Sequence, residues 1–208
     1  PDGVTVSAVW IDRVEASADA QGATWLHALM LATAALDRGD RETAREQAEQ
    51  SLELRPGWAA HRLLALLSED ADAASEHYLR AWAAGDAPPE LAVEIATHLT
   101  RAGRSGELKA FVDALPPQVR DNERIILARA LVAGNDGRLD ELERLLFSRQ
   151  FATIREGETL LSDLWVRLRR GRLEAELGRA ATAAEIRQDL AAHPLPRALD
   201  LRMHQIED

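Results

Sequence analysis

The sequence predicts an all-α fold, built as a right-handed stack of antiparallel helix pairs. Apolar residues, mostly Ala and Leu, recur at helical intervals from residue 24 onward. Gly and Pro interrupt the pattern at the spacing expected between short helices. Val and Ile are sparse after residue 14, which argues against a large sheet. A chain of 208 residues can hold one sizeable domain or about five or six such pairs.

Residues 1–22 form an N-terminal segment that we interpret as the tail of a preceding domain. Val4 and Val6 alternate with polar residues as in a strand, but Ser7–Val14 suits a helix equally well, and the sequence leaves both open. Gly22 ends the segment, and we expect a helical repeat domain over residues 23–208. The first residue is Pro1, so we expect the chain to be cut from a longer protein.

The helical pattern after Gly22 divides into pairs separated by turn residues. The expected pairs are Trp25–Asp37 with Glu42–Leu54, Gly57–Leu67 with Ala71–Ala84, Pro89–Ala102 with Gly106–Leu115, and Asn122–Ala133 with Leu139–Phe147. The fourth pair is expected to turn at Gly134–Gly137. A longer helix at Leu160–Leu177, ended by Gly178, and a last one at Thr182–Ala192 follow.

Two segments depart from this rhythm. Ser148–Thr159 lacks apolar periodicity, and we expect an ordered loop or a docking element there. Residues 197–208 suit a short helix or a frayed end. Trp58, Trp82 and Trp165 lie on apolar faces of the expected helices, so we expect them in the core.

The first pair carries the clearest pattern. Ala44, Ala48 and Ser51 follow helical spacing, which lets a second helix approach closely, and Pro56 prevents the helix from continuing. Residues 24–56 resemble a tetratricopeptide repeat, a helix pair of about 34 residues. Later pairs resemble it at small and apolar positions, namely Ala74, Tyr78, Ala81, Ile95, Ala96, Leu99, Gly103 and Leu108. The resemblance implies a curved stack that binds other molecules, usually protein segments, and is rarely catalytic.

A second, shorter resemblance comes from Ile154–Glu158, Leu161 and Leu164-Trp165. These residues are similar to the C-terminal repeat region of a bacterial multidomain family with an upstream β-rich domain, thought to act on carbohydrate. The similarity implies an accessory domain packed against a catalytic domain that lies outside this chain.

The first resemblance also implies where a partner would bind, because the first helix of each pair lines a concave groove. The groove residues it implies are Leu26, Leu29, Thr33, Arg62, Glu94, Thr97, Arg101 and Arg129. The one lysine of the chain, Lys109, lies outside these positions, so a clamp for a peptide's terminal carboxylate is not expected. We add Arg167 and Arg170, three residues apart on one helix face, as a carboxylate anchor. The alternative is that Glu174 and Glu176 neutralise these arginines on a wet surface.

Catalytic and metal chemistry is not expected. The six histidines include no i,i+4 pair and no cysteine is present, so we expect structural or surface histidines, no metal and no cofactor. No nucleophile elbow or phosphate loop occurs. Glu42, Glu46, Glu49 and Glu53 follow helical spacing and read as a solvated face.

Charge limits the class of partner. Residues 1–100 carry 17 acids against seven arginines, a net of −10, whereas the remainder is neutral. Such a half repels phosphate backbones, so no nucleic-acid binding is expected. Its charge is interpreted either as solubilising or as a bias toward basic partners. No apolar run is long enough to cross a membrane, and we expect a cytoplasmic location.

The sequence therefore favours a scaffold that binds a peptide or protein segment without catalysis. Two alternatives remain open at this point: an accessory domain of a larger, carbohydrate-acting enzyme, and the sensor arm of a multidomain regulator. The oligomeric state is left open.

Overall fold

The computed structural model of the chain describes residues 7–151 and 161–200, and every regular element in these residues is helical. This confirms the predicted all-α class. The elements are α1 Ala8–Gln21, α2 Trp25–Asp37, α3 Arg41–Leu54, α4 Trp58–Leu67, α5 Ala71–Ala83, α6 Pro89–Arg101, α7 Ser105–Ala114, α8 Pro117–Arg120, α9 Glu123–Asn135, α10 Leu139–Leu146, α11 Leu161–Leu177, α12 Ala183–Ala192, and a 3₁₀ turn at Arg197–Leu199.

The N-terminal segment is helical from Ala8 onward. The Ser7 hydroxyl accepts a hydrogen bond from the Trp10 amide at 3.3 Å and so caps α1. Ile11 and Val14 are buried, and α1 packs against α2. Of the two interpretations for Ser7–Val14, the helix is correct, whereas Val4 and Val6 lie outside the described residues.

The helix bounds agree with the predicted bounds to within two residues. Two other features differ from the prediction. The turn predicted from Gly134 is wrong, because α9 continues through Asn135 and the turn begins at Asp136. A glycine inside a helix costs only about 1 kcal/mol relative to Ala, which packing can offset. The second difference is α8, which was not predicted; Pro117 occupies its first position, where a proline's missing amide hydrogen is no loss.

The irregular segment predicted at Ser148–Thr159 is described only in part. Residues 148–151 are not helical, and Phe151 is buried. Residues 152–159 lie outside the described residues, as do residues 201–208 of the expected C-terminal tail, where the 3₁₀ turn Arg197–Leu199 is the last element seen.

The chain divides into two compact units, residues 1–98 and 99–208. In the first unit α2 packs along α3, α4 along α5, and α3 against α4. Ala44 and Ala48 are fully buried and Ser51 is 1% exposed, which confirms that small residues allow close approach in the first pair. The Ser51 hydroxyl donates to the Trp25 carbonyl at 2.9 Å, so even the polar member of the row links α3 to α2.

The end of α4 is held by arginines of α3. Arg41 and Arg45 both donate to the carbonyl oxygen of Leu67, at 3.0 and 2.7 Å. This carbonyl belongs to the last residue of α4, where no intrahelical donor is available. The two arginines therefore fix α4 against α3 through a charge-assisted cap.

The second unit is centred on α9, α10 and α11. Its buried cluster contains Leu142, Leu146, Phe151, Leu164 and Leu168, with Trp165 partly buried against it. Gly178 follows α11 with φ of +65°, which confirms the predicted glycine stop. A bidentate pair from Arg169 to Asp189, at 3.0 and 2.7 Å, joins α11 to α12.

Candidate functional site

A pocket of about 240 Å³ lies in the first unit, where α2 and α4 begin. It is bounded by the first residues of these two helices, by the α3–α4 connection and by the end of α5. The lining residues are Trp25, Leu29, Ser51, Arg55, Pro56, Gly57, Trp58, Ala59, Ala60, Ala84, Gly85 and Asp86. We call this the Trp25–Trp58 pocket.

Each tryptophan occupies the first position of its helix. Trp25 follows the N-cap Thr24, and Trp58 follows the N-cap Gly57, which offers no side-chain acceptor to the first turn of α4. The two positions are 33 residues apart, close to one repeat length. Both indoles are half-buried, so each presents part of its apolar surface to the pocket.

Arg55 supplies the positive charge of the pocket. Its guanidinium carbon lies 5.0 Å from the centre of the Trp25 ring, within the range of a cation–π contact. Arg55 has extended backbone geometry at the end of α3, and Pro56 follows it. The arrangement places a cation over the indole of Trp25, whereas no cation of the described residues covers that of Trp58.

The opposite wall of the pocket is a tight turn. Gly85 and Asp86 follow α5 with φ of +79° and +55°. A positive φ is uncommon outside glycine, although aspartate adopts it more readily than most residues. The turn brings the exposed Asp86 to the pocket rim, so the pocket combines apolar walls with one positive and one negative group.

A polar network joins α4, α5 and α6 elsewhere in the same unit. The Glu94 carboxylate accepts from Arg62 Nε at 2.7 Å and from the Tyr78 hydroxyl at 2.8 Å. The Tyr78 ring lies 4.9 Å from that of His98, whose Nε2 is 2.8 Å from the Ser75 hydroxyl. Burial and the neighbouring Glu94 raise the pKa of Tyr78 well above its usual range.

This network includes two of the residues that were predicted to line the groove. Arg62 and Glu94 were expected to meet a partner, but they bind each other, with 38% and 29% of their side chains exposed. Because Ser75 is fully buried and Tyr78 is 5% exposed, the network reads as a connection between helices.

The remaining groove residues of the first unit have separate environments. Leu29 lines the Trp25–Trp58 pocket, whereas Leu26 is 46% exposed. Thr33 and Thr97 are exposed, and each hydroxyl donates to the carbonyl four residues earlier in its own helix, at 2.9 and 2.8 Å. The structure therefore brings one of these four residues, Leu29, into a concave site.

In the second unit, Arg129 lies 3.5 Å from Glu141 and is one-quarter exposed. Arg101, the last residue of α6, is exposed. Arg170 pairs with Glu174 at 2.9 Å, as the alternative interpretation predicted. Arg167 is exposed, and its Cδ would lie 2.8 Å from a Cβ placed on Gly134, so its stem covers that glycine.

The other arginines of α11 hold neighbouring helices. Arg172 contacts Asp140 and Glu143 of α10, each at 2.7 Å, and Arg169 binds Asp189 of α12. The late arginines thus form several ion pairs, and no carboxylate bridges Arg167 and Arg170 among the described residues.

The expectation that three tryptophans lie in the core is only partly met. Trp58, Trp82 and Trp165 are all half-buried. Trp165 packs against the cluster of the second unit and donates from its indole to the His193 carbonyl at 3.2 Å. An indole carries a polar N–H that needs a partner, which favours a position at the core edge.

Sequence reasoning missed the contributions of Trp25, Arg55, Trp58 and Asp86 to the pocket. One signal was present, because Trp25 and Trp58 recur one repeat length apart at the start of successive first helices. No comparable signal marked the contact between His61 and His77, which are 16 residues apart and lie on different helices.

Comparison with known proteins gives a limited likeness. A stretch of 113 residues is 36% identical to the homeobox protein SIX5 of Homo sapiens and 35% identical to that of Mus musculus. The alignment covers 53% of this chain, but the chain spans only 15% of the length of these relatives. No family model and no solved structure matches the chain. This local likeness does not assign the chain to a family.

None of the helices in residues 7–151 and 161–200 has the length and apolar character needed to span a bilayer. Within the same ranges, no three histidine, cysteine or acidic side chains come together as a metal-binding group.

Proposed function

We propose that this chain is a non-catalytic interaction module that binds a protein segment. The pairing of α2 with α3 and of α4 with α5 supports a tetratricopeptide-like unit, in which consecutive pairs follow one another in a right-handed stack. The observation that carries the proposal is the Trp25–Trp58 pocket. The expected cytoplasmic location and the absence of nucleic-acid partners remain part of this proposal.

The pocket suits a bulky apolar side chain. Its volume of about 240 Å³ exceeds that of a single side chain, and its walls are two indoles, Leu29, Ala59 and Ala60. Tryptophan is among the residues enriched where a few side chains dominate the binding energy of an interface. We therefore assign the pocket to the apolar anchor of a peptide.

The net charge around the pocket indicates which residues of the peptide would flank that anchor. Residues 1–100 carry 17 acids and seven arginines, so beyond the opposite charges of Arg55 and Asp86 at the rim this part of the chain has a net negative charge. A segment with Lys or Arg beside its apolar anchor would be attracted, and one rich in Asp or Glu would be repelled. The proposed ligand is thus a basic segment with one bulky apolar residue.

The experiment is a selection of short random peptides on the purified chain, followed by fluorescence anisotropy of those enriched. The selected peptides should share a bulky apolar residue with basic neighbours, and their affinity should fall as salt increases. Replacing Trp58 with Ala should weaken binding by about 2 kcal/mol, more than tenfold in Kd. Selected peptides without a common anchor would contradict the proposal.

Two further variants separate pocket loss from unfolding. Ala59→Arg places a long side chain in the pocket while keeping a good helix former, so it should abolish binding with the far-UV circular dichroism unchanged. Leu66→Arg changes an exposed residue near the other end of α4 and should bind as the parent does. Equal loss of binding in both variants would place the ligand outside the pocket.

A further inference from the structure

His61 of α4 and His77 of α5 face each other across the contact of these two helices. Their Nδ1 atoms are 3.3 Å apart, and their ring centres are 5.6 Å apart at an interplanar angle of 40°. Both rings are half-buried. The two Nδ1 atoms are therefore within hydrogen-bond distance, one ring donating and the other accepting, and solvent can still reach the pair.

The separation of the two nitrogens has a specific meaning in coordination chemistry. Imidazole nitrogens bind Zn²⁺ at about 2.0–2.1 Å, with tetrahedral angles in most protein sites. Two such ligands on one ion lie about 3.3 Å from each other, by the geometry of a tetrahedron with those bond lengths. His61 and His77 already have this spacing, whereas their ring centres and Nδ1 atoms lie nearly on one line, so each ring must tilt before both lone pairs converge on one ion.

The protonation of the pair also suits metal binding. Burial lowers the pKa of His61 and of His77, and their proximity to one another lowers that of His61 further. Neutral imidazole is the form that coordinates a metal, because the lone pair must be free. One Nδ1 proton would have to move to Nε2 for both lone pairs to face the ion.

The charges around the pair are mixed. Arg80 and Arg45 lower the pKa of His77, whereas Glu76 and Glu49 raise it. Arg80 is paired with Glu76 at 2.5 Å, and Arg45 donates to the Leu67 carbonyl. The arginines are therefore engaged, and the two acids offset their repulsion of a cation.

We propose that His61 and His77 form a two-histidine site for a divalent transition-metal ion of the Zn²⁺, Ni²⁺ and Cu²⁺ class. No third protein ligand completes it within residues 7–151 and 161–200, so water fills the other positions. Imidazole ligands disfavour Mg²⁺ and Ca²⁺, which prefer oxygen. An ion held here joins α4 to α5 and so stabilises the helix that begins with Trp58.

Isothermal titration calorimetry with ZnCl₂, CuCl₂ and MgCl₂ tests the site in protein without a polyhistidine tag. One Zn²⁺ per chain should bind, Cu²⁺ should bind more tightly, and Mg²⁺ should give no heat. His61→Gln and His77→Gln should each weaken Zn²⁺ binding at least tenfold. His193→Gln, which alters an exposed histidine directly after α12, is the control and should bind as the parent does.

A second measurement keeps the test independent of variant folding. In the parent protein, the imidazole nitrogen signals of His61 and His77 should shift together in NMR spectra as Zn²⁺ is added, while the other histidine signals stay in place. The proposal is overturned if Zn²⁺ does not bind, if it binds equally well to both glutamine variants, or if the shifted signals belong to other histidines.

Discussion

Arg62 and Glu94 are joined by a 2.7 Å ion pair, although both had been expected to face a partner. The same carboxylate accepts the Tyr78 hydroxyl at 2.8 Å. Glu94 of α6 thus accepts hydrogen bonds from Arg62 of α4 and from the buried Tyr78 of α5. One side chain therefore connects α4, α5 and α6.

Replacing Glu94 with Ala should destabilise the protein by about 1–3 kcal/mol, because it leaves the buried Tyr78 hydroxyl without its acceptor. Arg62→Ala should cost less, about 1 kcal/mol or below, since this pair is partly exposed. Urea denaturation measures both. Glu76→Ala, which breaks an exposed i,i+4 pair, is the control. Equal costs for Glu94→Ala and Glu76→Ala would mean that the network contributes nothing beyond a surface pair.

Ala44 should not tolerate a larger side chain. It is fully buried where α3 meets α2, so Ala44→Leu should overpack the contact and cost about 1–3 kcal/mol. Gln50→Leu adds an apolar group to an exposed position of the same helix and should change stability by less than about 0.5 kcal/mol. An unchanged melting temperature for Ala44→Leu would contradict close packing at this point.

The helix bounds could be predicted because their causes are local. Thr24, Asp40 and Asp70 cap α2, α3 and α5 with their own side chains, and the Gly39 turn follows from the glycine's freedom to adopt a φ of +79°. Such signals act within a few residues, so a single sequence contains them. The buried small residues Ala44 and Ala48 were predictable for the same reason.

The pairing of side chains could not be predicted in the same way. Arg62 and Glu94 are 32 residues apart, and nothing in their local sequence indicates that they meet. The Arg167 stem lies over Gly134 of α9, where it occupies the space that a Cβ would fill, and the two residues are far apart in the sequence. Which residues line a groove depends on how the helices pack against each other. The local pattern that predicts a helix does not predict which of its exposed residues will pair with a residue of another helix.

Two helical glycines should respond in opposite ways to Ala. A Cβ on Gly171 would lie 2.7 and 3.0 Å from the two terminal carbons of Leu139, so Gly171→Ala should lower the free energy of unfolding by about 1 kcal/mol despite its better helix propensity. At Gly134 the close atom belongs to an exposed arginine that can move away, so Gly134→Ala should be neutral or stabilising. Thermal denaturation of both variants decides this, and a stabilised Gly171→Ala would contradict the packing.

The capping box of α12 should affect the titration of Glu185 at acidic pH. Hydrogen bonds from Arg179 and from Thr182 lower the pKa of Glu185 to about 2. Because this pKa is below the unfolded value, the contribution of Glu185 to stability is present above about pH 4.5 and is lost as the pH falls toward 2. An NMR titration of the Glu185 carboxyl carbon should give the lowered midpoint, and Thr182→Ala should raise it. A normal midpoint in the parent would contradict the capping box.

The indole signals of the five tryptophans test the proposed function most directly. Two of them, Trp25 and Trp58, line the pocket, and the other three provide internal controls in the same spectrum. On addition of a selected basic peptide with an apolar anchor, the indole N–H signals of Trp25 and Trp58 should shift in a ¹H–¹⁵N NMR spectrum, while those of Trp10, Trp82 and Trp165 should not. Binding that leaves the Trp25 and Trp58 signals in place would contradict the assignment of the pocket as the site of partner recognition.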